Sequence, residues 1–216
     1  MRELPFTAEI LDALVGRYVL AVWPLPVVAP VLALLAVALL LRPLRGGGRA
    51  AAALLAAAWA GVGIDFHIKT VATIDFLAPV YGGFFLVQAA LLTWTGVLRG
   101  RLRSSFTGDA AGWAGLGLAG IAILGYPLLA LALGRAWPGL PIVGVTPDPT
   151  VMLTFGLLLL GGGRPARHLF VVPALWALVT GVTGWMLGTP ERLLLPVAAV
   201  AAIVLAVTAV RARDPA

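Results

Sequence analysis

The 216-residue chain has no cysteine and two histidines, and only 11% of its residues are charged. Without Cys there are no disulfides, no thiolate metal sites and no cysteine nucleophiles. With His67 and His168 as the whole histidine complement, a multi-histidine metal centre is also disfavoured. A soluble domain carries about 25% charged and roughly 45–50% apolar residues. Here the apolar share is 61% and the mean hydropathy +1.04, a surplus that one aqueous core cannot bury. The chain therefore reads as a membrane protein with the lipid bilayer as its partner, and disorder, fibrous repeats and a soluble enzyme domain are excluded. The basic balance, 15 Lys plus Arg against 9 Asp plus Glu, does not indicate nucleic acid, because these charges punctuate apolar runs.

A helix crossing about 30 Å of hydrocarbon needs roughly 20 mostly apolar residues. Seven segments meet or approach this: 18–41, 50–67, 76–98, 112–133, 141–160, 169–187 and 190–210. The fifth is interrupted by Pro147, Asp148 and Pro149. Loop charges give an independent reading, since short cytoplasmic loops collect Lys and Arg. With the N-terminus outside, ten Lys and Arg against two acids give +8 on the inner side. Five against seven give −2 on the outer side, together the chain's +6. The expected architecture is an all-α, polytopic transmembrane bundle of about seven spans, N-out and C-in, in the bacterial inner membrane. Residues 1–216 form a single membrane domain: an interfacial helix over 1–17, the bundle over 18–210 and a short cytoplasmic tail over 211–216.

Met1–Arg17 is no signal peptide, for it lacks a basic start and the apolar run that follows is long and proline-rich. Thr7 is placed to cap a helix, with Phe6 and Leu11 as a hydrophobic staple. Ile10, Leu11, Leu14 and Val15 share one face of it, away from Glu9, Asp12 and Arg17, so it is expected to lie on the outer interface.

Polar side chains inside apolar spans are costly and so informative. Gln88 falls near the middle of the third span and must face another helix or a wet cavity. Around the second hairpin, Asp65 and Lys69 form an i, i+4 pair with His67 pointing elsewhere, and Asp75 follows. Two carboxylates and an imidazole this close suit a cation or a proton relay, or merely a solvated hairpin end. Asp148 between two prolines reads as an N-cap with Pro149 at the first helical position, or as the end of a half-helix within the membrane. Small residues spaced by four, Ala53, Ala57, Gly61 and Thr180, Gly184, Gly188, suggest close helix packing. His168 beside Arg164 and Arg167 reads as a cluster at the lipid headgroups.

Spans one and five are the proline-broken ones, and they occupy matching places if the chain is three spans, a linker span and three spans. Residues 46–49 and 161–164 both read GGGR, and Trp59 and Trp176 follow at similar distances, which hints at an internal repeat.

Several stretches resemble one bacterial family: Leu4-Pro5-Phe6-Thr7, Ala21-Val22-Trp23-Pro24, His67 through Ile74-Asp75 to Tyr81-Gly82 and Gln88, and Thr146-Pro147-Asp148-Pro149-Thr150 before Phe155-Gly156-Leu157. This is the multi-pass membrane family catalogued as domain of unknown function 6064. The resemblance runs in order along most of the chain and implies a membrane protein with no assigned activity. Asp75 stands where the family pattern implies asparagine, and Asp148 where it implies cysteine. Both changes add a carboxylate near His67. A family Cys/His metal site would thereby turn towards harder cations.

The sequence thus directs attention to Asp65, His67, Asp75, Gln88 and Asp148 as an ion, proton or substrate site, with His67, Asp75 and Asp148 as the metal-ligating subset. It points first to a transporter of a small solute or cation, driven by protons or not. A membrane-embedded metal-binding protein or enzyme, and a non-catalytic scaffold subunit, are the alternatives. No serine triad or cofactor fingerprint is present, and neither a cofactor nor an oligomeric state follows from the sequence.

Overall fold

The computed structural model describes residues 6–104, 106, 108–161 and 166–212, and among these every regular element is helical. The elements are α1 (Ala8–Ala21), α2 (Leu25–Leu41), α3 (Gly47–Thr73), α4 (Ala78–Leu98), α5 (Ala110–Ala132), α6 (Pro147–Leu160), α7 (Arg167–Leu187) and α8 (Leu194–Ala212). The turn Pro190–Leu193 leads into α8. The Gly162, Gly163 and Arg164 of the second GGGR stretch lie outside the described residues.

Among the described residues five segments are long and apolar enough to cross a membrane, α3, α4, α5, α7 and the stretch Glu191–Thr208, or six if the bent pair α1 and α2 is one span. The expected first span is instead a bent pair. α1 runs on past Arg17 to Ala21, and α2 leaves it at 83°. Pro24 explains the break, because it has no N–H to continue the α1 ladder and disfavours helix in Trp23, while Pro26 sits in the first turn of α2, where a missing N–H costs nothing. The start of α1 matches expectation: Thr7 accepts a hydrogen bond from the Ile10 N–H at 3.4 Å, and Phe6 and Leu11 are both buried.

The expected fifth span is the short helix α6, whose 14 residues extend about 21 Å, well under the roughly 30 Å of hydrocarbon. Yet α6 is the most enclosed element. It packs against α2, α3, α5, α7 and α8, and apart from Asp148 every residue in it is buried. Glycines let the neighbours approach. A Cβ on Gly156 would lie 2.8 Å from the Gly115 carbonyl oxygen of α5, and one on Gly115 would lie 2.7 Å from that of Gly156. Small residues at such crossings allow backbone contact where no hydrophobic drive joins helices in lipid. The stripe Ala53, Ala57, Gly61 does not serve this purpose, since Ala53 and Ala57 are exposed and a Cβ on Gly61 would meet nothing within 4 Å. The packed face of α3 is Ala51, Ala52, Leu55, Ala56 and Trp59, with Ala52 against Gly96. The second expected stripe packs in part: Thr180 and Gly184 are buried and a Cβ on Gly184 would lie 2.7 Å from Arg192 Cβ, but Gly188 is exposed and a Cβ there would meet nothing within 4 Å.

Along α6, Thr146, Thr150 and Thr154 follow at intervals of four on one face. The Thr150 and Thr154 hydroxyls donate to carbonyls one turn back at 2.7 and 2.8 Å, and Thr154 accepts the Trp59 indole N–H at 2.7 Å. The outer surface is the inverse of a soluble protein's. Val31 and Leu34 on α2, Val87 on α4, Leu124 and Leu128 on α5, Leu178 and Val182 on α7, and Val197 and Val200 on α8 are all exposed. An apolar belt this continuous is what lipid solvates. Trp23, Trp137 and Trp185 are exposed near one end of the bundle, and Trp94 and Trp113 near the other, as in interfacial aromatic girdles.

Candidate functional site

The site begins with a change of helical register in α3. Over Val62–Thr70 the helix widens to π geometry, a rare form that concentrates at functional sites. The Thr70 hydroxyl donates to the Asp65 carbonyl five residues back at 2.7 Å. Glycines hold this widened turn against α4, for a Cβ on Gly82 would lie 2.8 Å from the Gly63 carbonyl oxygen. The close crossing presses His67 onto α4 and α7, where Phe66, Tyr81, Phe85 and Trp176 surround its ring at centroid distances of 4.7–6.1 Å. His67 is 2% exposed, and neither ring nitrogen has a hydrogen-bond partner. Buried polar groups normally find partners, so a ring with two unpartnered nitrogens is a candidate contact for a ligand or a water.

Asp148 approaches from the opposite side. The expected N-cap role is corrected by the structure: Thr146 is the cap residue, Pro147 takes the first helical position, and Asp148 the second. A helix start exposes orphan N–H groups that lipid cannot satisfy. Pro147 and Pro149 remove two of those donors outright, so the carboxylate is not needed for capping. Instead Asp148 Oδ1 accepts from the Trp176 indole N–H at 2.9 Å and the Thr180 hydroxyl at 2.7 Å, which one turn of α7 brings together.

His67, Asp75 and Asp148 all line one cavity of about 90 Å³ at this end of the bundle, room for several water molecules or a ligand of a few heavy atoms. α1 contributes Phe6, Leu11 and Val15 to its wall, and the segments after α5 and α7 contribute Arg135, Glu191 and Arg192. Arg135 joins α1 to the α7–α8 turn, with a guanidinium nitrogen 3.2 Å from Asp12 and 2.8 Å from Glu191. Tyr126, 3% exposed, also lines the cavity, and its hydroxyl has no partner. Asp75 lies at the entrance to α4, where Oδ1 accepts the Leu77 N–H at 2.9 Å.

Two of the five expected residues lie elsewhere. Asp65 pairs with Lys69 at 2.6 Å on an exposed face, as the i, i+4 spacing predicted, and does not line the cavity. Gln88 is buried and donates to the Leu169 carbonyl oxygen at 2.9 Å, while its Oε1 has no partner. Pro173, four residues on, has no N–H to offer that carbonyl, and the Gln88 amide takes its place. Gln88 therefore repairs a proline gap in α7. His168 likewise makes a contact between helices, its Nε2 lying 2.8 Å from the Thr95 hydroxyl. Among the described residues no three His, Asp or Glu side chains stand where they could share a metal ion.

Sequence reasoning missed Tyr126 and Arg135 altogether. It noted Trp176 as a repeat marker and Thr180 as a small residue, without connecting either to Asp148. The available signal was their i, i+4 spacing, which puts two donors on one face of α7.

An all-helical membrane protein with a short apolar helix buried at its centre, and a mainly apolar cavity carrying a few polar groups at that helix's N-terminus, is the class this fold and site define. The chain belongs to the family of unknown function DUF6064, whose model matches residues 8–214. No curated protein and no solved structure matches the chain.

Proposed function

We propose that this protein is a small-solute carrier of the bacterial inner membrane, with the cavity facing outwards and the C-terminus in the cytoplasm. The observation that carries this reading is α6, a helix too short to cross the hydrocarbon that starts inside the bundle, at the cavity where His67 and Tyr126 lack partners. Interrupted helices that end near the membrane's middle are how transporters expose polar groups to a substrate without exposing backbone to lipid. The orientation is supported by the opposite end of the bundle, where the described loops hold Arg42, Arg45, Arg99, Arg101 and Arg103. In this scheme Asp148 and His67 hold the solute, and the packed region of Trp59, Phe85 and Thr154 is the barrier that must open on the cytoplasmic side.

Purified protein in liposomes, tested against amines, amino acids, carboxylates and sugars with and without a proton gradient, is expected to show protein-dependent uptake of at least one class. Asp148→Asn should abolish it. Protein that is folded in the vesicles yet moves no member of the panel would overturn the carrier reading. Because the chain has no native Cys, orientation is read from single thiols: Thr183→Cys should label in intact cells with an impermeant reagent, and Ser104→Cys should not.

A further inference from the structure

Taking the cavity as the carrier's binding site, we infer that its ligand is a small primary ammonium ion. The charge around it comes first. Arg135 is already committed to both Asp12 and Glu191. Arg192 is then the remaining cation of the lining, against the carboxylates of Asp75 and Asp148. Among the described residues no Lys, Arg or His nitrogen lies within 4.0 Å of either carboxylate, and Asp148 is held by neutral donors alone. A carboxylate in an aromatic, half-buried setting without a counter-cation favours a cationic ligand over an anionic or neutral one.

The acceptors decide the kind of cation. A primary ammonium carries three N–H donors and needs three acceptors. Three acceptors on residues of the cavity lining take no hydrogen bond: the Asp148 Oδ2 and, enclosed in the wall, the Tyr126 hydroxyl oxygen and one ring nitrogen of His67. The rings of Trp176 and Tyr81 line the same space, packed edge to face with centroids 5.6 Å apart. A metal ion fits less well, since the described side chains provide no trio of His, Asp or Glu ligands. The volume of about 90 Å³ limits the organic part to a short chain.

The test uses ligand-observed NMR on full-length protein in detergent with ethylammonium, comparing ethanol and acetate as neutral and anionic molecules of like size, and tetramethylammonium as a cation without N–H groups. Ethylammonium is expected to bind at least tenfold more tightly than any of the three. Asp148→Asn should weaken it by tenfold or more and Tyr126→Phe by several-fold, the second change being small enough to keep the fold if the first does not. Folded wild-type protein that ignores ethylammonium, equal binding of ethanol, acetate or tetramethylammonium, or an unchanged affinity in Tyr126→Phe would each overturn the inference. Ammonium binding without flux in liposomes would leave it standing and remove the carrier reading. Flux of another solute class without ammonium binding would do the reverse.

Discussion

The two ends of the bundle are built on opposite principles. At the arginine-rich end the backbone closes on itself. A Cβ on Gly48 would run into the Leu102 carbonyl, the Ser104 hydroxyl donates to the Leu44 carbonyl at 2.9 Å, and Arg99 lies over the Trp94 ring at 4.7 Å. At the cavity end close backbone contact is confined to crossings such as Gly63 with Gly82, and a cavity lies between the elements. Three separate segments are joined through a single guanidinium, and buried His67 and Tyr126 keep unsatisfied polar atoms. One end is optimised for packing, while the other gives up stability of the kind that proteins surrender at binding sites.

This contrast predicts a graded series of effects. The largest belongs to Gly48→Val, which places atoms where the Leu102 carbonyl already sits. It should cost more than about 3 kcal/mol and prevent the protein from accumulating, whereas Gly61→Ala, facing open space, should behave as wild type. Thermal unfolding in detergent, monitored by circular dichroism, separates the two.

Next is Arg135→Gln, which removes the charge linking Asp12 to Glu191 at the cavity end. A loss of about 1–3 kcal/mol is expected. Limited proteolysis should show early cleavage between α1 and α2, with the rest of the bundle still protected. Gln88→Leu should cost a similar or smaller amount, about 1–2 kcal/mol, by leaving the Leu169 carbonyl unpaired. Since Gln88 does not line the cavity, ligand affinity should be unchanged in the surviving folded protein.

Tyr126→Phe sharpens the comparison most, because it deletes a buried hydroxyl that has no partner. The melting temperature should stay level or rise while ligand affinity falls, a separation that a purely structural tyrosine would not produce. The smallest effect is expected for Lys69→Ala. Its pair with Asp65 is solvent-exposed, so the unfolding free energy should move by about 0.5 kcal/mol or less.

Much of this was legible from spacing. The i, i+4 rule placed Asp65 against Lys69 with His67 on another face, and the Thr7 cap with its Phe6/Leu11 staple was readable because capping is local chemistry. The two proline-broken segments were also visible, though not what they become. A break at Pro24 is compatible with a kinked span or with a sharp turn between two helices, and local geometry is the same up to the turn. Asp148 looked like an N-cap because Asp-Pro is a good local start. That the flanking prolines removed the need for a cap emerges only when the helix start is found buried, where each unpaired N–H is costly. The small-residue stripe in α3 failed for a related reason: a spacing of four identifies a face, not what lies opposite it.

By itself the sequence determined the solvent, the helical class, the charge asymmetry of the loops and the family, all of which depend on composition and on order along the chain. Tertiary structure alone decided that the short helix α6 would be the central one, that Gln88 would mend the α7 backbone, and that His67, Tyr126 and Asp148 would line one cavity. Each of these is a contact between residues far apart in sequence. In lipid such contacts are set by which glycines let backbones touch and which polar groups must find partners across helices.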